Sequence, residues 1–337
     1  MIVGLRFGMF VPQGWSHDLA GIDPAAHWAV MKGLAQHADA GPWESIWVND
    51  HLHALPTPPP VETGTHEAWS LVAALGAVTE RVRLGQVCTC MGFRNPAYLA
   101  KVAATCDIVS GGRVEMCVGA GWDEGEWTAY GYGFPPARER LGMLEEGAEI
   151  MRQAWTTGVA TLHGKHYQVQ DAIVRPLPLQ DGGIPLWIAG GGEKVTLRIA
   201  AKYARYSNFD GSPEGFVRKS AVLAEHCRDV GTDFDAIVRS SLYYVMVGTT
   251  EAEVEERIAA HEARLVPILG ADGAAQLIRR FLRNDGLTLR GTPEQVVERL
   301  EEMQARGLAY GIFVFPGAAH DRSSLELFER EVIPALR

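Results

Sequence analysis

The sequence lacks an excess of basic residues and lacks any long apolar run, and both absences exclude broad classes of partner. Its 337 residues include 31 Lys and Arg against 41 Asp and Glu, which gives a formal net charge of −10 at pH 7. This balance argues against a fold-wide basic surface for nucleic acid. No stretch approaches the roughly 18 uninterrupted apolar residues that a membrane-spanning helix needs. We therefore expect neither a nucleic acid nor a membrane as partner.

Cysteine is also scarce, and its spacing fits neither a disulfide framework nor a zinc site. The five cysteines are odd in number, and no two have Cys-x-x-Cys spacing. Cys88 and Cys90 are separated by one residue but are too isolated for zinc binding. The start of the chain has no basic segment or cleavage site typical of a signal peptide. We expect reduced, mostly buried cysteines and a cytoplasmic location.

The chain has no repeat of 20–50 residues and no low-complexity segment, but short apolar strands alternate with amphipathic helices. Because 47% of the residues are hydrophobic, a large core can form. Strands that alternate with helices favour a parallel sheet. The predicted strands are Leu5–Val11, Ser45–Asn49, Val82–Cys90, Arg113–Val118, Pro185–Ala189, Tyr206–Phe209, Val238–Val247 and Tyr310–Phe315.

Eight strands, each followed by helical sequence, predict an α/β fold of the (β/α)8 TIM barrel type, with residues 1–337 as one domain. An open doubly wound sheet is the alternative, because periodicity does not give strand order. Insertions are expected near residues 159–174 and 267–290. The first contains a hairpin within Thr161–Ile173, and the second, Pro267–Arg290, is irregular with a helix of its own.

Three helix boundaries have specific signals. Asn95 followed by Pro96 predicts a capped helix start. A long loop after the fourth strand leads to a helix at Ala137–Thr156. A further helix is predicted to start directly after Gly190–Gly192.

The active site of such a barrel lies at the carboxyl ends of its strands, so the residues that follow the strands are the candidates. They are rich in glycine and amides and include one Asp–His pair. In chain order they are Gln13 and Trp15; Asn49, Asp50 and His51; Cys88; Gly119, Ala120, Gly121 and Trp122; Gly190, Gly191 and Gly192; and Asn208.

Asp50 and His51 are the candidates for proton transfer. A histidine at a strand end can donate or accept a proton near neutral pH. Asp50 could raise the basicity of His51 or bind a cofactor group. The competing interpretation is a loop pair with local hydrogen bonds only.

Gly190–Gly192 is the candidate phosphate-binding turn. Glycine lets a backbone approach an anion closely, and free N–H groups at a helix start favour a phosphate. A tight strand-to-helix turn without a ligand is the competing interpretation. Glu193 slightly favours that second interpretation, because it can simply complement the helix dipole.

Two other patterns are rejected. Gly119 and Gly121 do not form a dinucleotide fingerprint, because the third glycine would fall at Glu124. Small residues at this place instead provide floor space for a flat ring. His51 and His53 resemble the first ligands of metal-dependent barrel hydrolases, but no ordered His or Asp set follows the later strands. We therefore expect no metal site.

Six segments together carry a resemblance to a known family over nearly the whole chain. They are Trp43–His51, Thr79–Gly85, Arg94–Lys101, Asp107–Arg113, Gly119–Trp122 and Ile188–Glu193. In order and spacing they resemble the luciferase-like flavin and deazaflavin oxidoreductases. The chain is most similar to probable F420-dependent oxidoreductases of actinobacteria.

The resemblance implies a (β/α)8 barrel that holds a deazaflavin or isoalloxazine ring at its strand ends. It implies that Asp50 and His51 face the ring, with His51 as proton donor or acceptor. A non-proline cis peptide bond is implied between Val87 and Cys88, behind the ring. Gly119 and Gly121 would lie under the ring, and Gly190–Gly192 would bind the tail phosphate. Other residues expected at the cofactor are Asn49, Ala120 and Ala189.

The chain departs from the F420-dependent sugar-phosphate dehydrogenases at three places. Those enzymes have a glutamate at the position of Trp122, a tryptophan at Leu55, and a phosphate-binding lysine where this chain has Asp210. We therefore predict a small, non-phosphorylated substrate in an apolar pocket. The predicted pocket residues are Gln13, Trp15, Trp122 and Asn208.

The function predicted is hydride transfer between coenzyme F420 and a small organic molecule. An FMN-dependent monooxygenase with a partner reductase, on the same fold, is the alternative. A metal-dependent barrel hydrolase is a distant third. Family resemblance also implies a homodimer.

Overall fold

The apolar segments form parallel strands, and the segments between them form helices, in a computed structural model that describes residues 4–56, 60, 63–209, 211–284 and 286–337. The strands are β1 (Arg6–Phe10), β2 (Ser45–Val48), β3 (Arg83–Gln86), β4 (Thr89–Cys90), β5 (Val114–Gly119), β6 (Val159–His163), β7 (Gln168–Ile173), β8 (Leu186–Ala189), β9 (Tyr206–Asn208), β10 (Val238–Val247), β11 (Thr288–Gly291) and β12 (Tyr310–Val314).

Helices follow most of these strands. They are α1 (Pro24–Ala40), α2 (Ala68–Ala77), α3 (Pro96–Val109), α4 (Glu124–Ala129), α5 (Ala137–Thr157), α6 (Thr196–Tyr203), α7 (Pro213–Val230), α8 (Glu251–Leu282), α9 (Pro293–Ala305), α10 (Ser323–Leu327) and α11 (Ile333–Leu336). A π-helical turn, Phe328–Val332, joins the last two.

Eight of the strands close into a ring of parallel pairs. The order around the ring is β1, β2, β3, β5, β8, β9, β10 and β12, and β12 pairs with β1 to close it. The predicted TIM barrel is therefore confirmed, and the open sheet is excluded. Because all eight strands are parallel, their carboxyl ends gather at one mouth.

Several local predictions are confirmed. Asn95 caps α3 by accepting hydrogen bonds from the backbone N–H groups of Ala97 and Tyr98, with Pro96 at the first helical position. The predicted hairpin is present as the antiparallel pair of β6 and β7. The Val87–Cys88 peptide bond is cis, and it separates β3 from β4.

Other predictions need correction. The loop after the fourth barrel strand contains α4, a helix too short for its periodicity to stand out. The helix after the glycine turn begins at Thr196 rather than directly after Gly192, because residues 193–195 form a turn. The 267–290 region is less irregular than predicted. Its helix continues α8 past a break at Gly270, and β11 adds a parallel strand beside β10.

The barrel interior is packed with large aromatic side chains opposite glycines. Trp47 and Trp187 meet edge to face with ring centroids 4.8 Å apart, and Tyr206 stacks on Trp187 at 4.0 Å. Gly85 lies against the Trp47 ring, so the strand leaves room for the indole. The interior is therefore a filled core. In barrels of this type, ligands bind at the mouth instead.

The hydrophobic faces of the helices pack against the outside of this ring. Within the described residues, no helix is long and apolar enough to cross a membrane.

The contact between Gly85 and Trp47 gives a prediction about stability. In Gly85→Ala, the new Cβ would overlap the fully buried Trp47 ring. We expect the free energy of unfolding to fall by about 1–3 kcal/mol, as for other overpacked cores. Urea denaturation measures this change.

Gly33→Ala is the matched control, because the nearest atom to a Cβ there is 3.6 Å away and the residue is inside α1. It should stabilise the protein by about 0.5–1 kcal/mol. Equal effects of the two substitutions would contradict the packing of the barrel interior.

Candidate active site

His51 is held at the barrel mouth by a buried carboxylate. Its Nδ1 lies 2.9 Å from Oε2 and 3.1 Å from Oε1 of Glu126, whose residue surface is only 1% exposed. The same carboxylate accepts hydrogen bonds from the backbone N–H groups of Leu52 and His53, at 2.9 and 3.0 Å. These contacts direct Nδ1–H of His51 inward and leave Nε2 as the nitrogen available for chemistry.

Glu126 was missed by the sequence analysis because its helix, α4, was assigned to a loop. Asp123 caps this helix by accepting hydrogen bonds from the N–H groups of Gly125 and Glu126. Asp123 followed by acidic residues in the first turn is a recognisable helix-start signal. No local signal connects Glu126 to His51, because the two are 75 residues apart in sequence.

Trp15 forms the second support of His51. The two rings are stacked, with centroids 4.4 Å apart and an interplanar angle of 9°. The Trp15 carbonyl accepts a hydrogen bond from the N–H of Leu55. The indole Nε1 is buried and has no hydrogen-bond partner among the described residues. An unpartnered N–H donor therefore lies next to His51. Such a donor can bind a polar atom of a substrate.

A buried aspartate holds the loop that carries Trp15. Asp18 accepts hydrogen bonds from the N–H groups of Gln13 and Gly14 and from the Ser16 hydroxyl. Gly14 has a φ of +102°, and a Cβ at this residue would overlap the carbonyl of Gly64. Glycine is therefore required at this turn.

Aromatic and cationic side chains surround His51 on the remaining sides. Trp122 meets the His51 ring edge to face at 5.6 Å and is 52% exposed. The Arg280 guanidinium lies 5.4 Å above the Trp122 ring. Phe281 contacts Trp15 at 5.8 Å, so the end of α8 borders the same space. Trp15 and Trp122, both predicted for the substrate pocket, therefore lie next to His51, and their role there stays a prediction.

Asp50 points away from the mouth and into the protein. Its carboxylate makes a two-pronged ion pair with Arg94, at 2.7 and 2.9 Å, and accepts a hydrogen bond from the N–H of Cys90 at 2.8 Å. Arg94 also contacts Glu67. The sequence analysis did not identify Arg94, although an arginine that binds both carboxylate oxygens is a frequent partner of a buried carboxylate. The geometry favours a positioning role for Asp50.

Gln13 and Asn49 link the ends of β1 and β2. Gln13 Nε2 donates to the carbonyls of Asn49 and His66, and its Oε1 accepts from the N–H of Asn49. Gln13 is completely buried. Its amide therefore has both ends occupied by backbone groups.

Cys88 follows the cis peptide bond and is partly exposed at the mouth. Burial and the nearby Asp50 raise the pKa of Cys88 to about 12. The thiol is therefore neutral at physiological pH and is not a nucleophile.

Gly119 and Gly121 make room for cysteine side chains. A Cβ on Gly119 would lie 2.5 Å from Cys88 Sγ, and one on Gly121 would lie 2.6 Å from Cys90 Sγ. Ala120, between them, is partly exposed. The floor beneath the mouth is thus formed by strand β4 packed on these two glycines.

The glycine turn carries a cation that the sequence analysis did not place. Gly190 has a φ of +112°, and a Cβ at Gly191 would lie 2.7 Å from both Cε and Nζ of Lys219. Within the described part of the chain, the N–H groups of Gly191 and Gly192 have no hydrogen-bond partner. Lys219 comes from α7, so nothing in the glycine segment itself could reveal it.

The neighbouring strand ends complete this side. Ala189 is partly exposed, and Asn208 accepts a hydrogen bond from the N–H of Gly190 at its carbonyl. Asn208 Nδ2 donates to the Ser240 hydroxyl at 3.0 Å. Asp210, at which the sequence departs from the sugar-phosphate enzymes, lies outside the described residues.

Over the described ranges, no three His, Cys, Asp or Glu side chains come together as metal ligands would.

Residues 5–310 match the model of the family described as luciferase-like monooxygenase. The chain belongs to the luciferase-like monooxygenase family. The resemblance predicted from the sequence is therefore confirmed at the level of the family.

Curated relatives in this family share the length of the chain. An F420-dependent glucose-6-phosphate dehydrogenase of Nocardia farcinica is 29% identical over 336 residues, covering 90% of this chain and 93% of the relative. The same enzyme of Mycobacterium avium is 29% identical over 335 residues, with the same coverage.

Solved structures share the fold. An F420-dependent secondary alcohol dehydrogenase, in complex with an F420–acetone adduct, has a TM-score of 0.79 at 21% identity, covering 99% of this chain and 100% of that one. A long-chain alkane monooxygenase has a TM-score of 0.79 at 14% identity, with coverage of 100% and 92%. Both likenesses support the luciferase-like barrel.

The pairing of Asp50 with Arg94 gives a prediction about stability. Arg94→Leu should lower the free energy of unfolding by about 3–5 kcal/mol, because it leaves a buried carboxylate without its ion-pair partner. Adding Asp50→Asn should recover part of the loss. Chemical denaturation measures both.

Arg138→Leu is the control, since Arg138 is exposed in α5. If Arg94→Leu costs no more than this control, the buried pair does not position the site.

Proposed function

We propose that this protein is a coenzyme F420-dependent oxidoreductase that transfers hydride to or from a small organic substrate. The observation that carries the proposal is His51, held by Glu126 at a barrel mouth whose glycine turn fits a phosphate. The F420-dependent names of its full-length relatives support the cofactor. We propose that residues 1–337 act as one domain.

The residues at the mouth fit the cofactor at two places. The unpartnered N–H groups of Gly191 and Gly192, with the Lys219 ammonium beside them, form a cradle for the tail phosphate. The partly exposed Val87 and Cys88, with Ala120, offer a wall and floor for a flat ring. When bound, F420 supplies hydride exchange at its deazaflavin ring.

Further residues complete the proposed cofactor contacts. They lie at the carboxyl ends of β2, β5 and β8, and they are Asn49, Gly119, Gly121 and Ala189.

His51 handles the proton that accompanies hydride transfer. With Nδ1–H bound to Glu126, the neutral ring presents its Nε2 lone pair to accept a proton from a substrate hydroxyl. The imidazolium so formed is stabilised by the Glu126 carboxylate and can return the proton in the reverse reaction. Asp50 does not touch the reacting atoms in this proposal. It positions His51 by anchoring the end of β2 to Cys90 and Arg94.

The substrate lies between Trp15, Trp122 and the ring. The buried, unpartnered Nε1 of Trp15 donates to a substrate oxygen that His51 also reaches. Asn208 and Gln13 were also predicted for this pocket, but the side chains of both are engaged within the protein, and Gln13 is completely buried. A non-phosphorylated substrate stays our prediction, although the relatives' names point to a sugar phosphate.

An FMN-dependent monooxygenase is the second candidate. The description of the matching family and an alkane monooxygenase of the same fold favour it. We propose further that the enzyme is cytoplasmic and homodimeric, as its cysteine pattern and its family resemblance imply.

Cofactor binding tests the proposal. The protein should quench the fluorescence of F420 on titration, and Lys219→Met should weaken that binding by about tenfold, the effect of removing a hydrogen bond to a charged group. Lys165→Met, on the exposed hairpin, should leave the affinity unchanged.

Tight FMN binding without F420 binding would overturn the cofactor assignment in favour of the second candidate. Equal F420 affinity in Lys219→Met would remove the lysine from the phosphate cradle.

The role of Glu126 is tested by turnover of F420 with an alcohol. Glu126→Gln should lower kcat by roughly tenfold to a hundredfold with little change in KM, because His51 loses the carboxylate that stabilises its protonated form.

Glu124→Gln, at an exposed position of the same helix, should leave both constants unchanged. An unaltered kcat in Glu126→Gln would contradict the proposed positioning.

A further inference from the structure

A second concave site lies at the mouth, away from His51. It is a cleft of about 470 Å³ between one face of α8 and the loop that follows β12. Arg257 and Arg264 line it from α8, and Gly317 and Asp321 line it from the loop. The residues around His51 described above do not line this cleft, so the proposed reaction leaves it unexplained.

Two buried nitrogens of α8 have no hydrogen-bond partner among the described residues, and of their two residues only Arg264 lines the cleft. They are Nε of Arg264 and Nδ1 of His261. His261 is 5% exposed, and the Arg264 guanidinium lies beside Gly317, with Nη2 3.5 Å from the position of a Cβ there. Buried polar groups are nearly always hydrogen-bonded, so the unpartnered Nε–H of Arg264 indicates a missing acceptor.

Burial and neighbouring positive charge disfavour the protonated forms of His261 and of the nearby His320. Burial, together with the nearby Arg264 and His320, lowers the pKa of His261 to about 4. Burial and Arg264 also lower the pKa of His320. Arg264 therefore lies near two imidazoles as well as near the Asp321 carboxylate. No ion pair joins it to an acid among the described residues.

Acidic side chains also line the cleft, and two of the three are engaged within the protein. Glu253 binds Arg257 and the Thr249 hydroxyl. Asp321 accepts hydrogen bonds from Ser323, and these are the main cause of its lowered pKa. The charges of Arg257 and Arg264 lower that pKa further. Glu256 is the third. Since no carboxylate among the described residues is hydrogen-bonded to Arg264, its guanidinium can donate to an external ligand.

We propose that this cleft binds the phosphate group of a small molecule, with Arg264 as its main contact. A guanidinium offers several N–H donors in a geometry that suits phosphate oxygens. The cleft lies where the carboxyl ends of β10 and β12 meet, and loops at the last strands of barrel enzymes frequently bind phosphate. The inference does not depend on F420, because none of its residues belongs to the proposed cofactor cradle.

Calorimetric titration of the whole protein with inorganic phosphate, without cofactor, tests the site. We expect saturable binding at millimolar phosphate that Arg264→Gln weakens by about tenfold or more, as for the loss of a hydrogen bond to a charged group. Arg279→Gln is the matched control, because Arg279 is exposed on α8 and does not line the cleft. It should bind phosphate as the parent protein does.

Glu256→Gln provides an independent variant, because it removes the acid without a partner from the cleft. It should strengthen phosphate binding, and it keeps the test decisive if Arg264→Gln folds poorly. Absence of binding by the parent protein, or unchanged affinity in both variants, would overturn the proposal.

A competition distinguishes a free phosphate from a phosphorylated substrate. If glucose 6-phosphate displaces inorganic phosphate and Arg264→Gln raises its KM without affecting F420 binding, the cleft serves a substrate. If glucose 6-phosphate leaves phosphate binding unchanged, the cleft serves free phosphate. If the parent protein does not bind F420, the proposed function is overturned, but the phosphate titration still tests the cleft.

Discussion

The buried carboxylate of Glu126 joins α4 to the loop that follows β2 at the barrel mouth. It accepts hydrogen bonds from His51 and from the two backbone N–H groups that follow it, so one side chain sets the path of the loop after β2. Trp15 then closes the other face of the His51 ring by stacking. The imidazole is thereby held with one nitrogen inward and one outward. Proton transfer needs this arrangement, because the outward nitrogen must be the basic one.

The barrel itself could be predicted because every strand and most helices carry a local pattern. The cis bond at Val87–Cys88 and the family could be predicted because several short segments occur in a fixed order. Glu126, Arg94 and Lys219 could not, because each reaches the site from a distant segment. Arg94 lies 44 residues from Asp50, and nothing near Arg94 in sequence marks it as the partner of that carboxylate. Long-range contacts of this kind are set by closure of the barrel.

These distant residues also determine which groups at the mouth are held inward and which remain open to a ligand. Asp50 was predicted to share the chemistry with His51, but its ion pair with Arg94 directs it into the protein, where it supports the loop. We propose two places for an anion. One is the glycine turn after β8, where Lys219 approaches the backbone, and the other is the cleft between α8 and the loop after β12, where no ion pair joins Arg264 to an acid among the described residues. A third proposed place, for the substrate, lies beside the stacked rings of Trp15 and His51.

The protonation of His51 in the folded protein tests the account most directly. Nitrogen-15 NMR of the histidine-labelled protein at neutral pH, with His51→Gln to assign the signals, distinguishes the two neutral tautomers. The account predicts that Nδ1 carries the proton, bound to Glu126, and that Nε2 is unprotonated and open to the mouth. A neutral ring protonated at Nε2 would contradict it, because Nδ1 could not then donate to Glu126 and His51 could not accept a proton from a substrate.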